Sequence, residues 1–289
     1  MGEAPQRRAW RVTEPFHAIV YLVPEAAERY AKLGLGPMEG YFAARAAALG
    51  PVGPGVVTAT FYNFNPDLVA RAVPAVWSRA DPAAMIEARL DVADAALRRG
   101  LGDDVLGSAA VVEAAGLARR AAEEAAAWPQ GRPLYAAHAA LSWPDEPHLV
   151  LWHAQMLLRE FRGDGHLAAL LTAGVGGLES LILHVASGEA DERFLRGTRG
   201  WHRTAWAAAA DGLRERGLLD GDGLTDAGRA LRAGIEETTD RAAAAPYDAI
   251  GTDACVRLAE LTRPLSRTLV KAGLLDPAPL LGPAREERS

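Results

Sequence analysis

The chain has 289 residues, enough for one large core or two ordinary ones, and its 49% hydrophobic and 24% charged content is that of a globular protein rather than a disordered one. A formal net charge of -6 at pH 7 gives no overall positive field, so DNA, RNA or an acidic membrane would have to be engaged locally. The single cysteine, Cys255, excludes an internal disulfide and a thiolate metal cluster.

Residues 1–13 are polar and arginine-rich and read as a mobile lead-in. They carry no apolar segment behind the basic residues, and no later apolar run reaches membrane-spanning length, so the expected location is the cytoplasm with no membrane partner. From Glu14 to Leu33, Phe16, Ile19, Val20 and Val23 fall at helical spacing, with Pro24 breaking or kinking the run. Pro37 opens a second helix that ends at Gly50-Pro51. The β-branched run PVGPGVVTATFYNF has no strand nearby to pair with, so a helix starting near Pro54 is expected. Asn65-Pro66-Asp67 and Asp81-Pro82 are two helix starts, each a capping side chain followed by proline at the first helical position. After a break at 102–104, residues 105–128 form the most strongly helical run in the chain.

Pro129, Pro133, Pro144 and Pro147 crowd the best candidate boundary, which divides a helical N-terminal domain (14–128) from a second domain (148–250) and a C-terminal helix and tail (251–289), whose helix, near Thr252 to Ala272, is expected to be disturbed at Pro264. The second domain begins with a central helix from about Leu149 to Phe161, closed by Gly163, and two short helices follow on either side of 174–177. Residues 201–241 then read as a helix ending in LRERGLL, a tight DGDG turn between short strands, and a long amphipathic helix launched at Leu224-Thr225-Asp226. The expected fold is mainly α, a helical N-terminal part packed on a winged-helix C-terminal part with one small β-hairpin.

That grammar resembles the recognition helix, wing and following helix of MarR-like regulators. The order RAAALGPVG, VVTATFYNFNP, GRPLYAAHAALSWP, LWHAQMLLREFRGDGH and then the winged helix resembles an actinobacterial family of uncharacterised helical proteins often labelled SalK-like. The resemblance spans roughly residues 14–250. It implies the fold and a setting near natural-product genes, but no reaction and no catalytic residue. DNA reading is not the first expectation: the turn carries Asp220 and Asp222 where a groove-gripping wing presents cations, and Arg196 to Arg241 holds equal numbers of Arg and of Asp plus Glu. His202, Arg203, Thr204, Arg214 and Arg216 are what the recognition helix offers.

On the central helix, His153 and Glu160 lie seven apart on one face, with Arg162, Asp164 and His166 close behind. Gathered inward at a kink near Gly163, they would supply imidazoles, carboxylates and a guanidinium for acid/base work or for clamping a polar ligand, so His153, Glu160 and His166 are the candidate catalytic groups. The bland alternative makes Arg162 a helix-end charge and Asp164 a cap. Tyr41, Arg45, Phe61, Asn63 and His17 are the expected opposite wall of an apolar pocket for a planar molecule, with Arg162 completing the ligand contacts. Arg45, a guanidinium among alanines, needs a partner if buried. His184 is read as core.

No Walker loop, dinucleotide fingerprint, HExxH or nucleophile elbow is present, so no metal is assigned and the cofactor is unknown. The expected function is a small-molecule-binding protein that either only binds its organic ligand or transforms it as a cofactor-independent enzyme of secondary metabolism, its winged helix used for packing. The alternative is a ligand-responsive, MarR-like DNA-binding transcription regulator. The sequence leaves a homodimer open and does not expect DNA as a partner.

Overall fold

A computed structural model describes residues 3–275. In chain order the helices are α1 (Pro5–Ala18), α2 (Pro24–Ala31), α3 (Pro37–Ala46), α4 (Pro54–Phe61), α5 (Pro66–Ala72), α6 (Pro82–Leu101), α7 (Asp103–Leu106) and α8 (Ala109–Glu124). They continue with α9 (Pro133–Ala139), α10 (Pro147–Thr172), α11 (Gly177–Ala186), α12 (Glu192–Arg199) and α13 (Arg203–Glu215). A hairpin of β1 (Leu219–Asp220) and β2 (Gly223–Leu224) precedes α14 (Asp226–Ala243), α15 (Ala245–Ile250) and α16 (Thr252–Lys271).

Local chemistry sets most of these starts. Proline occupies the first turn of α2 through α6, where its missing N–H costs nothing. The Asn65 side chain accepts from the Asp67 N–H, Asp81 from Ala84, Ser108 from Val111 and Thr225 from Gly228, each satisfying a first-turn donor. The hairpin pairs Leu219 with Leu224 and Asp220 with Gly223. The protein is therefore mainly helical with one small antiparallel hairpin, as the patterning predicts.

The spine is α10. Nearly every side chain from His148 to Phe161 is buried, as expected of a helix apolar around its whole circumference. It is covered by α1, α6, α8, α9 and α14. One apolar cluster runs from Ala9 through Phe161 and takes in Tyr247 to Leu274, while a second joins Ala169 and Leu170 of α10 to Leu181, Trp206, Leu213, Leu219 and Ile235. Burial of Leu151, Leu158 and Phe161 stabilises the spine by roughly 1.5–3 kcal/mol per side chain.

Three expectations change. The arginine-rich start is helical from Pro5, because Trp10 packs on the core and Arg7 reaches Asp240 at 2.7 Å and Glu236 at 3.2 Å. Gly163 does not close the central helix; α10 runs on unbroken to Thr172. At Gly165 a side chain would meet Arg132 Nη1 at 2.9 Å and Ala242 Cβ at 3.1 Å, so the glycine is there to admit neighbours, not to end a helix. Pro264 likewise lies inside an unbroken α16. The charged, Pro-rich end of segment 251–289 falls outside the described residues.

Among the described residues no single helix is long and apolar enough to cross a membrane.

Candidate functional site

The spine distributes its polar residues to three places. His153 is buried with its ring 4.7 Å from that of Trp143, and its Nε2 has no hydrogen-bond partner. Burial above all, then the neighbouring His138 and Arg89, push its pKa down to about 4. Glu160, 1% exposed, accepts from Arg45 Nε at 3.3 Å and Nη2 at 3.0 Å. Burial alone would raise its pKa, but Arg45 and Arg159 outweigh that and hold the carboxyl well below the usual range. Arg162 and His166 face α14 instead: Arg162 donates to Asp240 at 2.7 Å and Glu236 at 3.2 Å, and His166 Nδ1 lies 2.9 Å from Thr239 Oγ1. His153, Glu160 and His166 therefore do not share one chamber, and among the described residues no group of three potential metal ligands forms.

The aromatic wall is real, but it is packed solid. Arg45 lies 4.5 Å over the Phe61 ring and donates to Tyr41 Oη at 3.4 Å, while Tyr41 and Phe64 meet their neighbours edge-on or tilted and Phe42 stacks on Phe61 at 6.0 Å. Arg45 thus has the partner that its burial demands. His17 sits behind this wall, stacked on Trp152 at 5.2 Å, its Nε2 3.2 Å from Tyr21 Oη. Desolvation foremost, then Arg89, pushes the His17 pKa well down, so the ring is neutral.

The FYNF segment acts as a clasp between the two clusters. Tyr62 Oη donates to the Val175 carbonyl at 2.6 Å, Trp201 Nε1 to that of Asn63 at 2.9 Å, and Asn65 Nδ2 to that of Gly200 at 3.0 Å. Asp164, the other expected cap, accepts from the Tyr135 N–H at 2.9 Å and so caps α9 from a distance in sequence.

Between the clusters lies a cleft of about 350 Å³, enclosed by α1, α10, α11, α14 and the clasp. Its polar lining includes His166, Asn63, Ser180, His184, Arg232 and Glu236, and its apolar lining Leu170, Leu181, Leu183 and Ile235. Desolvation, with Arg162 and Arg232 acting in the same direction, lowers the pKa of His166, and burial with Arg232 lowers that of His184. Neutral imidazoles can accept or donate hydrogen bonds to a polar ligand. A larger groove of about 520 Å³ between α1 and α16 is lined mainly by Arg11, Arg263, Arg267, Lys271 and aliphatic groups, without convergent donors and acceptors.

Of the sequence-selected residues, only His166 and Asn63 line this cleft. The sequence reading missed Ser180 and Arg232, and it placed His184 in the core, although the His184 side chain is 43% exposed. A helical wheel of α14 puts Arg232, Ile235 and Glu236 on one face, and that was the available signal.

The remaining candidate surface is the winged helix. The turn at 200–202 separates α12 from α13, with Gly200 left-handed at φ 74°. The outer face of α13 shows Thr204, Ala207, Ala208, Asp211 and Glu215. Arg214 is held by Asp211 at 2.7 Å and lies 3.6 Å from Asp222, and Arg216 is held by Glu179 at 2.9 Å. The hairpin tip exposes Asp220 and Asp222.

The model of a helix-turn-helix family matches residues 6–276. No curated protein and no solved structure matches the chain.

Proposed function

The chain belongs to this helix-turn-helix family, and we propose that it binds a small organic molecule in the cleft between its two apolar clusters, with the winged helix, of MarR-like build, serving as one wall of that cleft rather than as a DNA reader. The observation that carries the reading is the cleft itself. Its volume is in the range of ligand pockets, and two neutral imidazoles, an amide, a hydroxyl, two guanidiniums and two carboxylates line a space whose remaining wall is leucine, isoleucine and tryptophan. His166 or His184 would also be the base of a cofactor-independent transformation, should the bound molecule be turned over.

The charge on α13 argues in the same direction. A duplex rewards unpaired cations by releasing counterions, whereas Arg214 and Arg216 are committed to carboxylates of their own chain and the hairpin tip is acidic. The second reading, a ligand-responsive regulator, is favoured by the family match and by exposed Arg203.

A thermal-shift screen of aromatic and heterocyclic acids, amides and phenols tests the first reading, with His166→Ala and Ser180→Ala as variants. We expect hits on the parent whose affinity falls tenfold or more in the variants. Hits that bind both variants as tightly as the parent would place the ligand elsewhere. Fluorescence anisotropy on duplex DNA at 50–200 mM salt decides between the readings: saturable, sequence-dependent binding below 1 µM that weakens in Arg203→Ala would establish the regulator.

A further inference from the structure

Arg89 is a buried cation without a carboxylate. It is 4% exposed, and among the described residues its hydrogen-bond partners are all neutral: His138 Nε2 at 2.9 Å, Tyr21 Oη at 3.1 Å and His17 Nε2 at 3.5 Å. The His138 ring donates from Nδ1 to the Leu134 carbonyl at 2.9 Å, which leaves Nε2 as an acceptor and the ring uncharged. Burial first, then Arg89, pushes its pKa down to about 4.

The neighbouring arginines are treated differently. Arg45 has Glu160, and Arg159 has Glu14 at 2.7 Å. The charge of Arg89 is left to the faces of Trp152 at 5.4 Å and Tyr21 at 5.8 Å. Removing a guanidinium from water without an opposing charge is strongly unfavourable, and stacking on rings offsets only part of it.

Two small cavities border this cation. One cavity of about 50 Å³ is lined by Arg89, His138, Trp152, His153 and Ser142, and another of about 40 Å³ by Arg89, Tyr21, Tyr30 and Tyr41. Two of the residues on the first cavity, Trp152 and His153, each carry a buried nitrogen, Nε1 and Nε2, that has no partner. A 150 Å³ cavity accommodates benzene, so roughly a third of that volume suits a group of a few heavy atoms.

We propose that Arg89 anchors a second site, separate from the cleft, that takes a small monovalent anion of the size of chloride, formate or acetate. Arg89 supplies the charge and the N–H groups left over by His138, Tyr21 and His17, and the unpartnered Trp152 indole supplies a further donor. The site adds an anion to the core rather than a carboxylate from the chain, so the local charge balance depends on what the solution provides. It does not rest on the cleft: a failed organic-ligand screen leaves it standing, and a failed anion titration leaves the cleft standing.

The test is thermal unfolding of the full chain in chloride, formate, acetate and bicarbonate at constant ionic strength, with gluconate, too large for the cavity, making up the balance. A saturable rise in Tm is expected with at least one of the four, and the one that acts at the lowest concentration identifies the occupant. Arg89→Met should abolish the rise, and Trp152→Phe, which keeps the cation and deletes the N–H donor, should raise the half-saturating concentration tenfold or more. If Arg89→Met does not fold, Arg89→Lys serves in its place, with the same tenfold weakening expected because the fork is lost. Tm values that follow gluconate for all four anions would overturn the proposal, as would a response unchanged in the Arg89 and Trp152 variants.

Discussion

Arg45 Nε and Nη2 donate to the two oxygens of Glu160 at 3.3 and 3.0 Å, a two-point fork that joins α3 to α10 across 115 residues of sequence. Glu160 is buried and Arg45 mostly so, and the pair is surrounded by Phe61, Tyr41 and Arg159. Arg45→Met leaves the buried Glu160 carboxylate without its hydrogen-bonded partner and with only Arg159, 4.0 Å away, opposing its charge, and a loss of about 3–5 kcal/mol is expected in urea unfolding. Arg45→Met with Glu160→Met removes both charges and should recover most of that loss. A double variant as unstable as the sum of the two single ones would mean that the two charges are not coupled, and would remove the fork from the account.

The clasp makes a second, steric prediction. A Cβ at Gly177 would stand 2.0 Å from the Tyr62 carbonyl oxygen and 3.1 Å from Asn63 Cα, both backbone atoms that cannot rotate away. Gly177→Ala should therefore cost about 1–3 kcal/mol or more and loosen the winged helix from the body, read as faster proteolysis around 173–177. Gly116 in α8 is exposed, and a Cβ there meets nothing within 4 Å, so Gly116→Ala should instead stabilise by about 1 kcal/mol. Equal effects of the two substitutions would remove the clasp from the account.

Helix starts and the wing were legible because their causes are local. Asn65, Asp81 and Thr225 cap within three residues, and the DGDG turn is set by its own backbone. The path of α10 through Gly163 and Gly165 was not legible, since the glycine at 165 answers to Arg132 and Ala242, which are distant in sequence. Glu160 and Arg45 were both singled out, yet nothing in their spacing says that they meet each other and so close the hollow expected between them. Arg89 was overlooked among many arginines, although Met85, Arg89, Val92 and Ala96 form one helical stripe and that pattern places the cation on the buried side of α6.

His153 should make the protein acid-sensitive. Its pKa is pushed down to about 4, mainly by burial, so between the ordinary value of 6.5 and 4 the unfolded chain binds a proton that the folded protein refuses. The stability it contributes is complete above pH 6.5 and is lost as pH falls through 4. A shift of this size corresponds to about 3 kcal/mol. His153→Phe keeps a ring against Trp143 and should flatten that part of the pH–stability curve. A variant curve parallel to the parent from pH 7 to pH 4 would show that His153 ionises freely in the folded protein.

Asp164 should act in the opposite sense over an overlapping range. Burial, with the Glu160 charge adding to it and the Tyr135 N–H opposing, raises its pKa from 3.8 to about 6. Here the folded protein holds the proton more tightly than the unfolded chain, so the contribution is full below pH 3.8 and is lost as pH rises through 6. The integrated loss is about 3 kcal/mol. Asp164→Asn retains an oxygen for the Tyr135 N–H without the charge. Relative to the parent, the Asn variant should gain stability between pH 4 and pH 8 by about that amount, and the histidines, common to both proteins, cancel in the difference. If guanidinium unfolding gives a parent–variant difference that does not change with pH, the carboxyl is ionised throughout and α9 is capped by a charged group.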